Sequence, residues 1–269
     1  MNRRFGLFAA PLAAALLAAC TDSTGRLSLA VSSVRPTGAT PSGALAGTLG
    51  VAGSPAVVTA GDSTLIIMGN DTVIVRSAEL VLRKIELKRV EAIACDDIVG
   101  NGDCEEFETG PTLVTLPLGA TATETMISVA APAGMYDALE FEVHKPGAPE
   151  DATFIASNPS FDGVSIRVTG TFSHAGTRSD FTFTSDLNAQ QEVSLPTPLT
   201  VSDGQQANVT LRVDIATWFL NVAGTALVDP ASANKGQPNE NAVRDRIQAS
   251  IDAFRDDNHD GHDDDGLRH

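Results

Sequence analysis

Apolar and polar positions alternate along most of the chain, which is the period of a β-strand with one buried face. The clearest run is QANVTLRVDI, where Val209, Leu211 and Val213 are separated by polar residues. Similar runs recur, with turn sequences such as PAG, HAGT and SDG between them. About seven to nine strands at this spacing predict a mainly β protein, an antiparallel β-sandwich of the Ig-like or transthyretin-like kind.

The longest run, DTVIVRSAELVLRKIELKRVEAIAC, changes phase once. Leu80 and Leu82 share one face, and the alternation resumes after Lys84 with Ile85 and Leu87. Because one extra residue moves the following side chains to the other face, this slip predicts a β-bulge. A helix is the alternative, since Leu, Glu, Lys and Arg are good helix formers. The period of two on both sides favours a strand.

Near the C-terminus the period changes to that of a helix, in PNENAVRDRIQASIDAFRDD. Its apolar positions recur three or four residues apart: Val243, Ile247, Ile251 and Phe254. This stripe predicts one amphipathic α-helix that packs on the sandwich, with Asn239 or Asn241 as its N-cap.

The first 19 residues have the features of an export signal. Arg3 and Arg4 precede an uncharged apolar stretch that is shorter than the about 20 residues a membrane span needs. The stretch ends Leu-Ala-Ala-Cys at residues 17–20, which resembles the lipobox of bacterial lipoproteins. The resemblance implies cleavage before Cys20, lipid attachment to Cys20 and, with Thr21 next, the outer membrane. The alternative is an ordinary cleaved signal peptide with an incidental cysteine.

Four segments follow from these patterns: a signal peptide at 1–19, a lipidated cysteine and flexible tether at 20–60, a β-sandwich domain at 61–236, and the helix with an acidic tail at 237–269. The tether is rich in Gly, Ala, Ser, Thr and Pro. Within it, Leu27, Leu29 and Val31 alternate and could form a strand that joins the sheet.

The composition limits the kinds of partner that the protein is expected to bind. The formal net charge is −16, which argues against binding nucleic acid and favours cation binding. With Cys20 lipidated, Cys95 and Cys104 remain, and an exported protein is expected to join them in a disulfide.

The acidic tail FRDDNHDGHDDDGLRH has the spacing D-x-N-x-D-G-x-x-D directly after the predicted helix. It resembles an EF-hand-like or dockerin-like half-loop, and the resemblance implies calcium. The candidate metal ligands are Asp256, Asn258, Asp260, His262 and Asp264. Acids beside a helix C-terminus are also disfavoured without a counter-ion. Leu267 stands where such loops have a bidentate glutamate, so the expected affinity is weak, about 10⁻⁴–10⁻³ M.

Two alternatives for the tail stay open. One is a solvated acidic tail without a ligand. The other is a transition-metal site for Cu or Zn, because His259 and His262 interleave with the aspartates and imidazole suits these ions.

The sequence has no G-x-S-x-G, H-E-x-x-H, G-x-x-x-x-G-K or C-x-x-C motif. His144 falls at a strand end and His174 in a hairpin turn, so both are interpreted as surface residues. A glycan hydrolase with unidentified carboxylates is an alternative to a protein without catalytic activity.

Three segments, AELVLRKIELKRVE, APAGMYDALEFEV and TLRVDIATWF, together resemble uncharacterised β-rich domains of bacterial surface lipoproteins over about residues 64–255. The resemblance implies an exported, anchored sandwich and no known activity. The expected function is a non-catalytic binding or scaffold module in the cell envelope, held to the membrane by its lipid anchor. Its expected partner is a protein or a glycan at the cell surface, not nucleic acid.

Overall fold

The computed structural model describes residues 24–33, 55–90, 110–119, 125–257 and 264. These residues form a mainly β fold, a β-sandwich with a C-terminal α-helix, as predicted. The strands are β1 Thr24–Ser33, β2 Ala56–Ala60, β3 Ser63–Met68, β4 Asp71–Arg89, β5 Thr112–Thr115, β6 Thr125–Pro132, β7 Gly134–Val143, β8 Ile166–His174, β9 Thr177–Ser185, β10 Ala189–Val201, β11 Gln206–Val213 and β12 Ile251–Arg255. The α-helices are α1 Ala152–Ser157 and α2 Glu240–Ala249.

The strands form two sheets. The smaller sheet has the order β12-β11-β1-β6, and the larger has the order β10-β7-β4-β3-β2, with β5 and the β8–β9 hairpin also attached through β4. The described pairings are antiparallel except for β1 with β11, which is parallel. Apolar residues from both sheets form one core cluster.

The apolar residues that alternate with polar ones in the sequence are the ones buried in the structure. Val209, Leu211 and Val213 on β11 are fully buried. In β4 the backbone of Lys84 has a φ of 53°, and the pairing with β7 shifts register between Arg83 and Glu86. The predicted bulge is therefore confirmed, and the helical alternative for this segment is wrong.

Strand β1 lies inside the segment interpreted as a tether. Leu27, Leu29 and Val31 are buried, and β1 pairs with β11 on one side and with β6 on the other. Residues 56–60 of the same segment form β2. Alternation at Leu27, Leu29 and Val31 thus marks a central strand of the smaller sheet.

Helix α2 is shorter than its apolar stripe predicts. Val243 and Ile247 are its buried residues, and Asn239 is its N-cap without a side-chain hydrogen bond. Ile251 and Phe254 belong instead to β12, which pairs with the edge of β11. The prediction that one helix carries all four apolar residues is therefore wrong. Residues 251–255 form a strand because their pairing with β11 covers a sheet edge that would otherwise be open.

None of the helices in the described part of the chain is long and apolar enough to cross a membrane.

Candidate functional site

The predicted cation loop begins where β12 ends. Asp256 is fully buried, and Thr210 Oγ1 on β11 donates a hydrogen bond to its carboxylate at 2.7 Å. The Asp264 N–H donates to the Arg255 carbonyl at 3.2 Å, and the Asp264 carboxylate accepts from the Asp257 N–H at 2.6 Å. Asp264 therefore lies beside the end of β12.

The other predicted site residues lie outside the described residues: Cys20, Cys95, Cys104, Asn258, Asp260 and His262, together with His259. Among the residues that are described, no three His, Cys, Asp or Glu side chains are grouped as a metal site requires. Strand β12 also separates the aspartates from the C-terminus of α2, so the helix-dipole reason for a counter-ion at the tail is wrong.

His144 is a buried titratable residue that the sequence analysis interpreted as a surface residue. It follows β7 directly, and its backbone N–H donates to the Val81 carbonyl on β4 at 2.9 Å. Its side chain is only 7 % exposed, and its Nε2 lies 2.8 Å from Asp151 Oδ2. The interpretation of His144 as a surface residue is therefore wrong. His174, in contrast, is 68 % exposed and pairs with Asp71 at 2.8 Å.

The second nitrogen of His144 has no hydrogen bond. Nδ1 is buried, and the nearest charged group is Oε1 of Glu142, 3.7 Å away. This separation is too long for a hydrogen bond. A buried imidazole nitrogen without a hydrogen-bond partner lowers the stability of the folded protein.

Asp151 fixes the orientation of the imidazole. Its Oδ2 also accepts the Gly147 N–H at 2.9 Å, which closes the loop between β7 and α1. Burial by itself raises the pKa of Asp151, but the Gly147 N–H, the His144 imidazole and the Arg83 guanidinium together lower that pKa below its ordinary value. The carboxylate therefore stays ionised beside Nε2 of His144.

The alternation of β7 explains why these groups come together. Leu139, Phe141 and Val143 are fully buried in the core. Successive side chains of a strand point to opposite faces, so Glu140, Glu142 and His144 share the outer face. The signal was present in the sequence as LEFEVH, but it gave no indication that the loop ending at Asp151 covers this face.

A polar cleft of about 490 Å³ lies along the outer face of β4, β7 and β10. Its lining includes both signs of charge: Arg83, Lys84, Glu86 and Lys88 from β4, Glu140 and Glu142 from β7, and Glu192 from β10. We refer to it as the outer-face cleft. Glu142 connects the cleft with His144, because one of its oxygens accepts a hydrogen bond from Arg83 Nε at 3.2 Å and the other faces the imidazole.

Two carboxylates of this cleft are held by cations. Lys88 Nζ lies 2.6 Å from Glu140 Oε2, and this hydrogen bond raises the pKa of Lys88 against the effect of burial. Glu142 is held by Arg83.

Comparison with known proteins adds one structural likeness. No protein-family model and no curated protein matches the chain. Among solved structures the chain is similar to MbnP from Methylosinus trichosporium, with 13% sequence identity and a TM-score of 0.36 over 86% of this chain and 98% of that one.

Proposed function

We propose that this protein is a lipid-anchored binding module of the bacterial cell envelope, without catalytic activity. Its C-terminal tail binds one calcium ion with low affinity. The observation that supports the calcium part is the contact of Asp264 with the end of β12. Its N–H and carboxylate bind Arg255 and Asp257, so the ninth position of the D-x-N-x-D-G-x-x-D spacing is held beside the first two.

The sandwich supports a binding role in two ways. It presents a polar cleft on the outer face of the larger sheet, and the carboxylates Glu140 and Glu142 in that cleft are ion-paired. A surface of alternating charge suits a polar partner such as a protein segment or a glycan, and it suits an anionic nucleic acid poorly.

Calcium is tested by thermal unfolding of the EDTA-treated protein with and without CaCl₂. At a calcium concentration one hundred times the dissociation constant, binding stabilises the folded state by about 2.7 kcal/mol. For a domain of this size that corresponds to a rise in Tm of about 5–10 °C. Asp264→Asn should abolish most of this rise, because the amide can still accept the Asp257 N–H but carries no charge for the ion.

The matched control is Asp203→Asn, which alters an exposed aspartate in the turn before β11 and should leave the calcium response intact. A wild-type Tm that does not move with calcium contradicts the calcium site. So does a response that survives in Asp264→Asn.

A further inference from the structure

Several strands of the two sheets meet at the end of the sandwich where β1 begins. Thr24, the first residue of β1, lies opposite Pro132 at the end of β6, and its carbonyl oxygen accepts the Gly204 N–H at 3.1 Å. Gly204 belongs to the turn between β10 and β11. Gly25 packs closely against this turn, since a Cβ there would stand 2.5 Å from the Ser202 carbonyl oxygen. We call the surface formed by residues 24–26, 132–137 and 200–206 the Thr24 end.

The Thr24 end carries an exposed methionine on a well-fixed backbone. Met135 is the second residue of β7, lies opposite Thr200 on β10, and is 53% exposed. Its carbonyl oxygen accepts the Val90 N–H at 2.9 Å, and the hydroxyl of the next residue, Tyr136, donates to the Pro132 carbonyl oxygen at 2.8 Å. A large apolar side chain is therefore held in contact with solvent by a rigid part of the fold.

Charged groups of both signs lie around this methionine. Those on the described part of the chain include Arg26, Arg89, Asp137, Asp203 and Asp257. The Arg89 guanidinium lies over the Tyr136 ring, 5.8 Å from its centroid, and Asn208 near the start of β11 donates to the Asp257 carbonyl oxygen at 3.1 Å. A zwitterionic phospholipid headgroup carries a phosphate and an amine, so it matches such a surface better than an anionic headgroup does.

The lipid anchor of the proposed function, on which this inference rests, determines which end lies nearest the bilayer. Three residues separate Cys20 from Thr24, so the chain between them spans at most about 14 Å. Because β1 and β11 are parallel, both begin at the Thr24 end, and the eight residues of β11 extend about 23 Å away from it. A molecule standing on its opposite end would therefore place Thr24 farther from the bilayer than the tether reaches.

We infer that the Thr24 end rests on a zwitterionic phospholipid surface, with the Met135 side chain in the boundary between headgroups and acyl chains. The apolar side chain leaves water there, and the arginines of this end can bind lipid phosphates. The strands then run away from the bilayer. The outer-face cleft, which lies on the face of the larger sheet, opens sideways and stays accessible to a partner.

The test is quenching of tryptophan fluorescence in the mature protein isolated from membranes and reconstituted into phosphatidylcholine vesicles with brominated acyl chains. Trp218 is the one tryptophan of the chain and is 1% exposed within the core, so it gives a constant background. Met135→Trp adds a second indole at the proposed contact. We expect this added emission to fall at least about twofold in brominated vesicles relative to unbrominated ones, because tryptophan settles at the headgroup level.

Val222→Trp is the matched control, since it also replaces an exposed apolar residue. Val222 is 84% exposed and follows the opposite end of β11, where Arg246 of α2 donates to its carbonyl oxygen at 3.1 Å. Its added emission should be the same in both kinds of vesicle. Equal quenching at positions 135 and 222, or none at 135, overturns the inference.

A measurement without a substitution at Met135 excludes an effect of the new indole itself. Oxidation of Met135 to the sulfoxide by hydrogen peroxide, followed by mass spectrometry, should be at least about twofold slower in vesicle-bound wild-type protein than in soluble Cys20→Ala protein, because the lipid covers the thioether. Equal oxidation rates contradict the contact.

Flotation of the same vesicles distinguishes this inference from the lipid anchor. Wild-type protein that does not float with the vesicles overturns both the anchor and the inference. Protein that floats while Met135→Trp remains unquenched overturns the inference alone and leaves the anchor standing.

Discussion

At the scale of single residues, Gly170 shows how closely the strands of the larger sheet approach each other. It lies in β8 opposite Val75 of β4, and a Cβ added there would stand 1.9 Å from the Ile74 carbonyl oxygen. Because that oxygen belongs to the backbone of a buried strand, it cannot move aside without disturbing the sheet. Only glycine fits this position.

Gly170→Ala should therefore lower the free energy of unfolding by about 3 kcal/mol, the upper end of the range for overpacking. Gly110→Ala is the control, since a Cβ at Gly110 meets nothing within 4 Å, and its effect should stay below about 0.5 kcal/mol. Urea unfolding followed by circular dichroism measures both variants. Equal stabilities for the two would contradict the steric argument.

At the scale of elements, Asp186 ties helix α2 and the turn before it to the end of β9. Its two oxygens lie 2.8 Å from Lys235 Nζ and 2.9 Å from Arg244 Nη1. The hydrogen bond from Lys235 lowers the pKa of the Asp186 carboxyl, and the charges of Arg244 and Lys145 add to this against the opposing effect of burial. The ionised form is thus the one that folding favours.

A carboxyl with a lowered pKa stabilises the folded state above its unfolded pKa of about 3.9, and this contribution is lost as the pH falls through the lower, folded value. Asp186→Asn should cost about 1 kcal/mol at pH 7 and almost nothing near pH 2. Urea unfolding across this range checks the expectation, with Asp162→Asn, an exposed aspartate, as the control. A difference that stays constant down to pH 2 would exclude the ion pairs as its source.

The elements also show what the sequence could and could not predict. Alternation at Val209 and Leu211, and the phase slip at Lys84, depend on local spacing, and both were confirmed. Phe254 fits a helical stripe equally well, and its place in β12 depends on the distant edge of β11. His144 likewise owes its burial to a loop that carries Asp151 back over the strand. Contacts of this kind follow from tertiary packing and leave no period in the sequence.

At the scale of the whole molecule, lipid anchoring is tested by the distribution of the protein between membrane and soluble fractions. Wild-type protein should stay with the membrane until detergent is added, and Cys20→Ala should appear in the soluble fraction, because one acylated cysteine carries the anchor. Cys95→Ala is the control and should remain with the membrane. Identical fractionation of wild type and Cys20→Ala would rule out the anchor.

The place of β1 determines how far such an anchor lets the protein stand from the bilayer. Thr24 begins a central strand four residues after Cys20, and four residues span at most about 14 Å. The glycine-rich stretch from 34 to 54 comes after β1 and joins the smaller sheet to the larger one, since β2 belongs to the latter. It therefore adds no distance between Cys20 and β1. In the proposed lipid-anchored protein the fold begins within about 14 Å of the lipidated residue, and only residues inserted ahead of Thr24 would lengthen this separation.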